Sequence, residues 1–225
     1  MPELPEVETV VRGLRPHLEG AVIRQVVQRR PNLRFPFPEK FGARIEGRTV
    51  THVGRRAKFM LMTLDDGTII VGHLGMSGRM LILTDDPPPG PHDHVDFVTA
   101  AGTTIRYCDP RRFGMFDLTT QATLGDHRML RNLGPEPLGN MFNAASLSAA
   151  LAGRRSPIKA ALLDQKTVAG LGNIYICEAL YRAAISPRRI ASTIPGKRAE
   201  RLTTAIRDVL SEAIASGGSS LRDYV

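Results

Sequence analysis

Lys58-Phe59-Met60-Leu61-Met62-Thr63-Leu64, followed by Asp65-Asp66-Gly67 and then Thr68-Ile69-Ile70-Val71-Gly72, is the stretch whose reading decides the fold. Two apolar runs of strand length, separated by a turn signal that ends in glycine, read as a β-hairpin. The same texture extends outward on both sides, with short β-rich runs at 21–28, 49–53, 79–83, 95–99 and 103–107. Ala100-Ala101-Gly102 supplies another turn signal between the last two. Many short strands at this spacing predict a β-sandwich. The run Asp85-Asp86-Pro87-Pro88-Pro89-Gly90-Pro91 cannot pair inside a sheet, so it reads as an exposed connection.

Both flanks of this region are helical in pattern. Over 3–19, Val7, Val10, Val11, Leu14 and Leu18 recur at helical spacing and Gly20 stands where a C-terminal cap belongs. After Thr120 the spacing predicts helices over 124–133, 144–151, 157–164, 173–184 and 197–215. An all-β lobe with a leading helix, followed by an all-helical lobe, is the α+β pattern. The boundary falls between 120 and 140, giving an N-terminal β-sandwich domain over 1–130 and a C-terminal helical domain over 131–225. A chain of 225 residues is long enough for two such domains.

Thirty Lys and Arg stand against 22 Asp and Glu, a net charge of +8, and the sequence pI is near 10.1. That surplus is the electrostatic footprint of a phosphate-backbone binder. Cys108 and Cys177 are the two cysteines, far apart, which excludes a disulfide framework or a thiolate metal site built from these residues. No apolar run approaches the length of a membrane span, and the acidic start is the opposite of a basic signal-peptide head. The expectation is a cytoplasmic monomer with no membrane partner.

The chemistry concentrates at the first residues. Removal of Met1 would leave Pro2 as a secondary amine, and an α-amino group titrates near 8 where a lysine titrates near 10.4. Condensed with a sugar aldehyde carbon, the proline nitrogen has no proton to lose and stays a cationic iminium, an electron sink. Glu3 and Glu6 cluster beside it, where proton transfers to a sugar oxygen would be needed. Read on spacing alone, Pro2 also suits a helix start and the two acids suit a helix dipole. His92 and His94 have no third ligand nearby and read as strand and loop structure.

The run Pro2-Glu3-Leu4-Pro5-Glu6-Val7-Glu8-Thr9-Val10 resembles the N-terminus of the formamidopyrimidine-DNA glycosylase family. The resemblance continues in order through Gly54-Arg55-Arg56-Ala57-Lys58, His73-Leu74-Gly75-Met76-Ser77-Gly78, His92-Asp93-His94-Val95-Asp96 and Asp109-Pro110-Arg111-Arg112-Phe113-Gly114. It resumes at Gly134-Pro135-Glu136-Pro137-Leu138, Gly170-Leu171-Gly172-Asn173-Ile174-Tyr175 and Gly217-Gly218-Ser219-Ser220-Leu221. The resemblance implies a bifunctional glycosylase and abasic-site lyase acting on double-stranded DNA that carries oxidised purines. Pro2 would be the nucleophile, Glu3 the proton shuttle and Lys58 a group near the damaged nucleotide, with Glu6 in support. Met76, Arg111 and Phe113 would fill the hole left when the nucleotide turns out of the stack. His92, Arg111, Lys159 and Asn173 would contact DNA, Asn173 within a helix-two-turn-helix element. Glycine-rich amides before that helix also suit a phosphate.

Family members continue past the equivalent of Val225 with a damage-capping loop and a four-cysteine zinc finger. Neither stands in these residues, which leaves a truncated chain or a zincless variant, and truncation is the expectation. One structural Zn²⁺ is therefore expected only in a longer chain, and no cofactor in this one. Two rivals remain open: the oxidised-pyrimidine branch of the superfamily, which carries Gly where this chain has Leu4, and a non-catalytic damage-binding module on the same scaffold.

Overall fold

The computed structural model describes residues 2–85 and 87–218; Met1, Asp86 and 219–225, with the end of the Gly217–Leu221 block, lie outside the described residues. Eight strands follow the leading helix α1 (Leu4–Leu18): β1 (Ile23–Gln28), β2 (Val50–Arg56), β3 (Phe59–Leu64), β4 (Thr68–His73), β5 (Arg79–Leu83), β6 (Asp93–Thr99), β7 (Thr104–Cys108) and β8 (Met115–Thr120). A short helix α2 (Phe41–Ile45) lies between β1 and β2. The strands form two antiparallel sheets, ordered β1-β6-β7-β5 and β2-β3-β4-β8. The helical lobe comprises α3 (Ala144–Leu151), α4 (Ile158–Leu163), α5 (Asn173–Arg182) and α6 (Lys197–Ala215). This is the α+β architecture that the sequence pattern predicts.

The 58–72 stretch forms the β3-β4 hairpin, with Phe59 opposite His73 and Thr63 opposite Ile69. Gly67, at φ +82°, closes the turn and donates its N–H to the Leu64 carbonyl at 3.0 Å. Its apolar run is nearly continuous because both faces are covered. Met60, Met62, Leu64 and Ile70 enter the core between the sheets, together with Val7, Val11, Leu14 and Leu18 of α1. Phe59, Ile69 and Val71 point the other way, where Met115 and Leu130 join them and Leu124, Met129 and Leu133 pack from outside. The helical lobe has its own core, centred on Phe142, Leu162, Leu171, Ile176, Leu180 and Ile206. Among the described residues, no helix is long and apolar enough to cross a membrane.

Two departures from the pattern have physical causes. The helix expected over 124–133 is a 3₁₀ turn at Leu124–Asp126 followed by further turns. Gly125 and Asp126 are weak helix formers. His127 Nε2 and Arg128 Nη2 reach back to Asp117 Oδ2 at 3.3 and 3.0 Å, so the leucines lie on a sheet face. Strand β8 escapes the pattern because Gln121-Ala122-Thr123, which follows it, carries no turn-forming residue.

At the centre of the sandwich Phe116 meets four aromatic rings, those of Phe37, Phe41, Phe97 and Tyr107, at centroid distances of 6.4, 6.2, 5.5 and 5.1 Å. Phe116→Ala is expected to cost about 3–5 kcal/mol in urea denaturation, as for other buried large-to-small changes. A loss below about 1 kcal/mol would show that this cluster is not the packing centre.

Candidate active site

Pro2 and Glu3 are both buried at the start of α1. Glu3 is 2% exposed. Its Oε2 accepts the Gly172 N–H at 2.7 Å and its Oε1 accepts the Ile174 N–H at 3.0 Å. An acid of the first lobe thus sits on the N-terminus of α5 in the second, where unpaired amides and the helix dipole favour negative charge. The Leu4 N–H donates to the Gly170 carbonyl at 3.1 Å and extends the same seam. Gly172 has to be glycine, since a Cβ there would lie 2.4 Å from the Glu3 carboxyl carbon. Glu6 completes the cluster: its Oε2 accepts the Glu3 N–H at 2.9 Å and its Oε1 accepts the Tyr175 hydroxyl proton at 2.5 Å.

Lys58 reaches this cluster from a tight turn. Arg56 pairs with Phe59, so Ala57 and Lys58 alone connect β2 to β3. Ala57 adopts φ +53°, a left-handed conformation that costs an L-residue about 1–2 kcal/mol. Glu136, from the segment between the lobes, offsets that strain. Its Oε1 accepts the Ala57 N–H at 2.6 Å and Arg56 Nη1 at 2.7 Å, and its Oε2 accepts Arg55 Nη1 at 2.9 Å. Arg55 Nε also donates to Glu8 on α1 at 3.0 Å.

Lys58 is only 8% exposed, far from the solvated edge charge that a lysine following two arginines suggests. Burial pushes its ammonium below the ordinary lysine range, while the charges of Glu3 and Glu6 act against that shift. Burial pushes the Glu3 carboxyl up, opposed first by the Ile174 N–H and then by Lys58. His73, at the end of β4, is pushed down to about 4 by burial, with Lys58 and Arg34 adding to the effect. Its Nδ1 accepts the Gly75 N–H at 2.9 Å, so the neutral ring carries its proton on Nε2. An acid held toward its protonated form beside an amine held toward its neutral form is suited to moving protons near neutral pH.

The remaining sequence-predicted residues lie on loops and helix starts. Met76 lies in the turn after β4, 38% exposed, and Phe113 lies in the loop between β7 and β8, 44% exposed. The Arg111 guanidinium stands 4.8 Å from the Phe113 ring centroid. The two loops touch, because a Cβ on Gly75 would lie 2.4 Å from the Phe113 carbonyl carbon. His92 is exposed beside them, its carbonyl accepting the Asp109 N–H at 2.9 Å. Asn173 is exposed as the first residue of α5, and Lys159 is half-buried on α4, which packs against α5.

One expectation changes. The glycine-rich amides before α5 suit a phosphate by pattern, yet Gly172 and Ile174 donate to Glu3 and the Gly170 N–H donates to Gln165 Oε1 at 2.9 Å. Sequence reasoning also missed Tyr175, His73 and Glu136. Glu136 and its arginine partners stand in two of the motif blocks, but nothing local pairs residues 80 positions apart. Cys108 ends β7 and Cys177 lies on α5, so the cysteines do not fit a four-thiolate site.

Two family models match the chain: the formamidopyrimidine-DNA glycosylase N-terminal domain over residues 1–116 and the formamidopyrimidine-DNA glycosylase H2TH domain over 133–225. The formamidopyrimidine-DNA glycosylase of Rhodospirillum centenum is 58% identical over 236 residues, covering 100% of this chain and 81% of that protein. That of Azorhizobium caulinodans is 56% identical, covering 100% and 83%. Among solved structures, the MutM (Fpg) protein of Thermus thermophilus superposes with a TM-score of 0.86 at 42% identity, covering 97% of this chain and 78% of its own. The Lactococcus lactis formamidopyrimidine-DNA glycosylase, non-covalently bound to DNA containing an AP site, gives 0.89 at 32% identity, covering 97% and 84%.

The lowered Lys58 pKa has a consequence for stability. A base whose folded pKa is depressed contributes stability that is complete above the unfolded value of 10.5 and is lost as pH falls through the folded value. The stability of wild type relative to Lys58→Met is therefore expected to rise with pH through the window just below 10.5 in denaturant titrations. A flat difference over that window would show that Lys58 is not perturbed.

Proposed function

Because the chain belongs to the formamidopyrimidine-DNA glycosylase family, DNA-binding glycosylases of base excision repair, we propose that it excises oxidised purines and then cuts the strand at the resulting abasic site, with Pro2 as nucleophile. The observation that carries this reading is the buried, electrostatically coupled Glu3–Lys58 pair, whose acid directly follows Pro2 in the chain. In the encoded chain the Pro2 nitrogen is part of an amide, so removal of Met1 has to come first.

The freed nitrogen then attacks C1′ of the everted nucleotide, and the glycosidic bond breaks with its electron pair leaving on the base, which takes up a proton. Glu3, its pKa raised, is suited to deliver a proton to O4′ as the sugar ring opens and the iminium forms. Loss of a C2′ proton expels the 3′ phosphate. A second elimination expels the 5′ phosphate, and water hydrolyses the iminium to free Pro2. Lys58, buried and with its pKa lowered, is suited to accept or donate protons through these steps and, when charged, to attract a phosphate. Glu6, fixed by Tyr175, supports Glu3.

Eversion leaves a hole in the duplex that costs a few kcal/mol of stacking. Met76 and Phe113 are the apolar side chains to fill it, and Arg111 the guanidinium to hydrogen-bond the orphaned base. His92, Lys159 and Asn173 are assigned to the DNA backbone, in keeping with a net charge of +8. The DNA-bound Lactococcus lactis relative, at 32% identity over nearly the whole chain, supports a duplex substrate. Substrates of the oxidised-purine class, 8-oxoguanine and formamidopyrimidines, fit the family assignment.

Borohydride reduction during turnover is expected to trap one covalent protein–DNA adduct, mapping to the peptide that begins at Pro2, and intact mass should show Met1 removed. Pro2→Gly should abolish or shift that adduct. A sugar captured on Lys58 alone, or salt-dependent binding with no base release, would overturn the reading and favour a lysine nucleophile or a non-catalytic module. Preference for thymine glycol over 8-oxoguanine duplexes would assign the oxidised-pyrimidine branch instead.

A further inference from the structure

The two loops that present Met76 and the Arg111–Phe113 pair converge on one buried carboxylate, that of Asp109, which is 0% exposed. Its Oδ1 accepts the Ser77 hydroxyl proton at 2.6 Å from the first loop and the Arg111 N–H at 3.2 Å from the second. Its Oδ2 accepts the Gly114 N–H and the Tyr107 hydroxyl proton, both at 2.9 Å. The main chain of Asp109 is tied to β6 and the residue before it as well: its N–H donates to the His92 carbonyl at 2.9 Å and its carbonyl accepts His94 Nε2–H at 2.8 Å. Four donors on one shielded carboxylate define a single arrangement of the groups around it, because releasing any of them leaves charge less well solvated.

The glycines allow this convergence. A Cβ on Gly114 would lie 1.7 Å from the Tyr107 hydroxyl oxygen, and one on Gly78 would lie 2.5 Å from it. Both loops therefore pass directly over Tyr107 with backbone alone. Arg112, at φ +57°, turns the second loop so that its neighbours Arg111 and Phe113 are both exposed.

We infer that Asp109 is a positioning residue that locks the Met76 loop and the Arg111–Phe113 loop into one wedge before DNA arrives. The inference rests on the reading of these three side chains as the filler of the hole left by eversion. Loops that became ordered only on contact would add their ordering cost to the barrier for turning the nucleotide out, whereas a preassembled wedge does not. Asp109 serves eversion and leaves the sugar chemistry at Pro2 and Glu3 to other residues. Its loss should slow the enzyme only where a stacked base has to be displaced.

The test compares wild type, Asp109→Asn and Ser77→Ala in single-turnover base release. One substrate is 8-oxoguanine paired with cytosine in a duplex; the other is the same lesion in a small unpaired bubble, where it is already unstacked. Ser77→Ala cuts the bridge between the loops while the carboxylate keeps its other three donors, so it carries the test if Asp109→Asn fails to give a cooperative thermal transition. On the duplex the rate is expected to fall about tenfold or more for Asp109→Asn and about threefold for Ser77→Ala, with both within about twofold of wild type on the bubble. A 2-aminopurine next to the lesion should show slower unstacking in the same variants. Equal losses on both substrates, or no loss on either, would refute this role for Asp109 while leaving the proposed function standing. A wild-type chain that releases base from neither substrate would refute the proposed function itself, and this role with it.

Discussion

The Glu3 carboxylate joins the two lobes at the point where the chemistry is assigned. Glu3 belongs to the helix that closes the β-sandwich, yet its hydrogen bonds go to the first amides of α5 in the helical lobe. Burying a carboxylate is unfavourable unless its oxygens are met by donors, and a helix N-terminus supplies such donors already oriented. The seam therefore sets the reactive geometry: it fixes where Pro2 lies relative to α5 and demands glycine at 172. Asn173 remains as the exposed group at the same helix start.

Burial dominates the electrostatics of the cluster. Glu3 receives two direct N–H bonds and feels the positive charge of Lys58, all of which hold a carboxyl pKa down, yet its net shift is upward. Lys58 is close enough to feel two acids, and its net shift is downward. Both shifts bring the pair toward sharing a proton, and both follow from removing water around groups that would ionise fully in solvent. The neutral His73 ring beside Lys58 belongs to the same low-polarity environment. A pH-responsive site thus arises from how deeply α1, the β2–β3 turn and α5 press together.

The functional side chains on loops are held by acids that do not themselves reach the site. Glu136 takes the Ala57 N–H and two guanidinium groups, so that an alanine can occupy a left-handed turn and Lys58 is aimed inward. Asp109 acts between the loops that follow β4 and β7, gathering Ser77, Tyr107, Arg111 and Gly114. In both places a buried or half-buried carboxylate replaces the packing that a short loop cannot provide for itself.

The alternation of apolar runs and turn signals was enough to read seven of the strands, the hairpin at 58–72 and the division into a β lobe and a helical lobe, because these follow from local periodicity. The motif blocks pointed to Pro2, Glu3, Lys58, Met76, Arg111 and Phe113 as residues of interest through their resemblance to a family. Local pattern failed where long-range packing overrode it: the leucines of 124–133 cover a sheet face, and β8 is defined by its partner β4. It failed again at Lys58, whose neighbours Arg55 and Arg56 suggest a solvated edge, until Glu136 from far along the chain buries the turn. The order of apolar and turn-forming residues thus determined the elements and their class. Only the tertiary structure decided which carboxylate meets which amide, because desolvation and hydrogen-bond geometry depend on residues brought together from opposite ends of the chain.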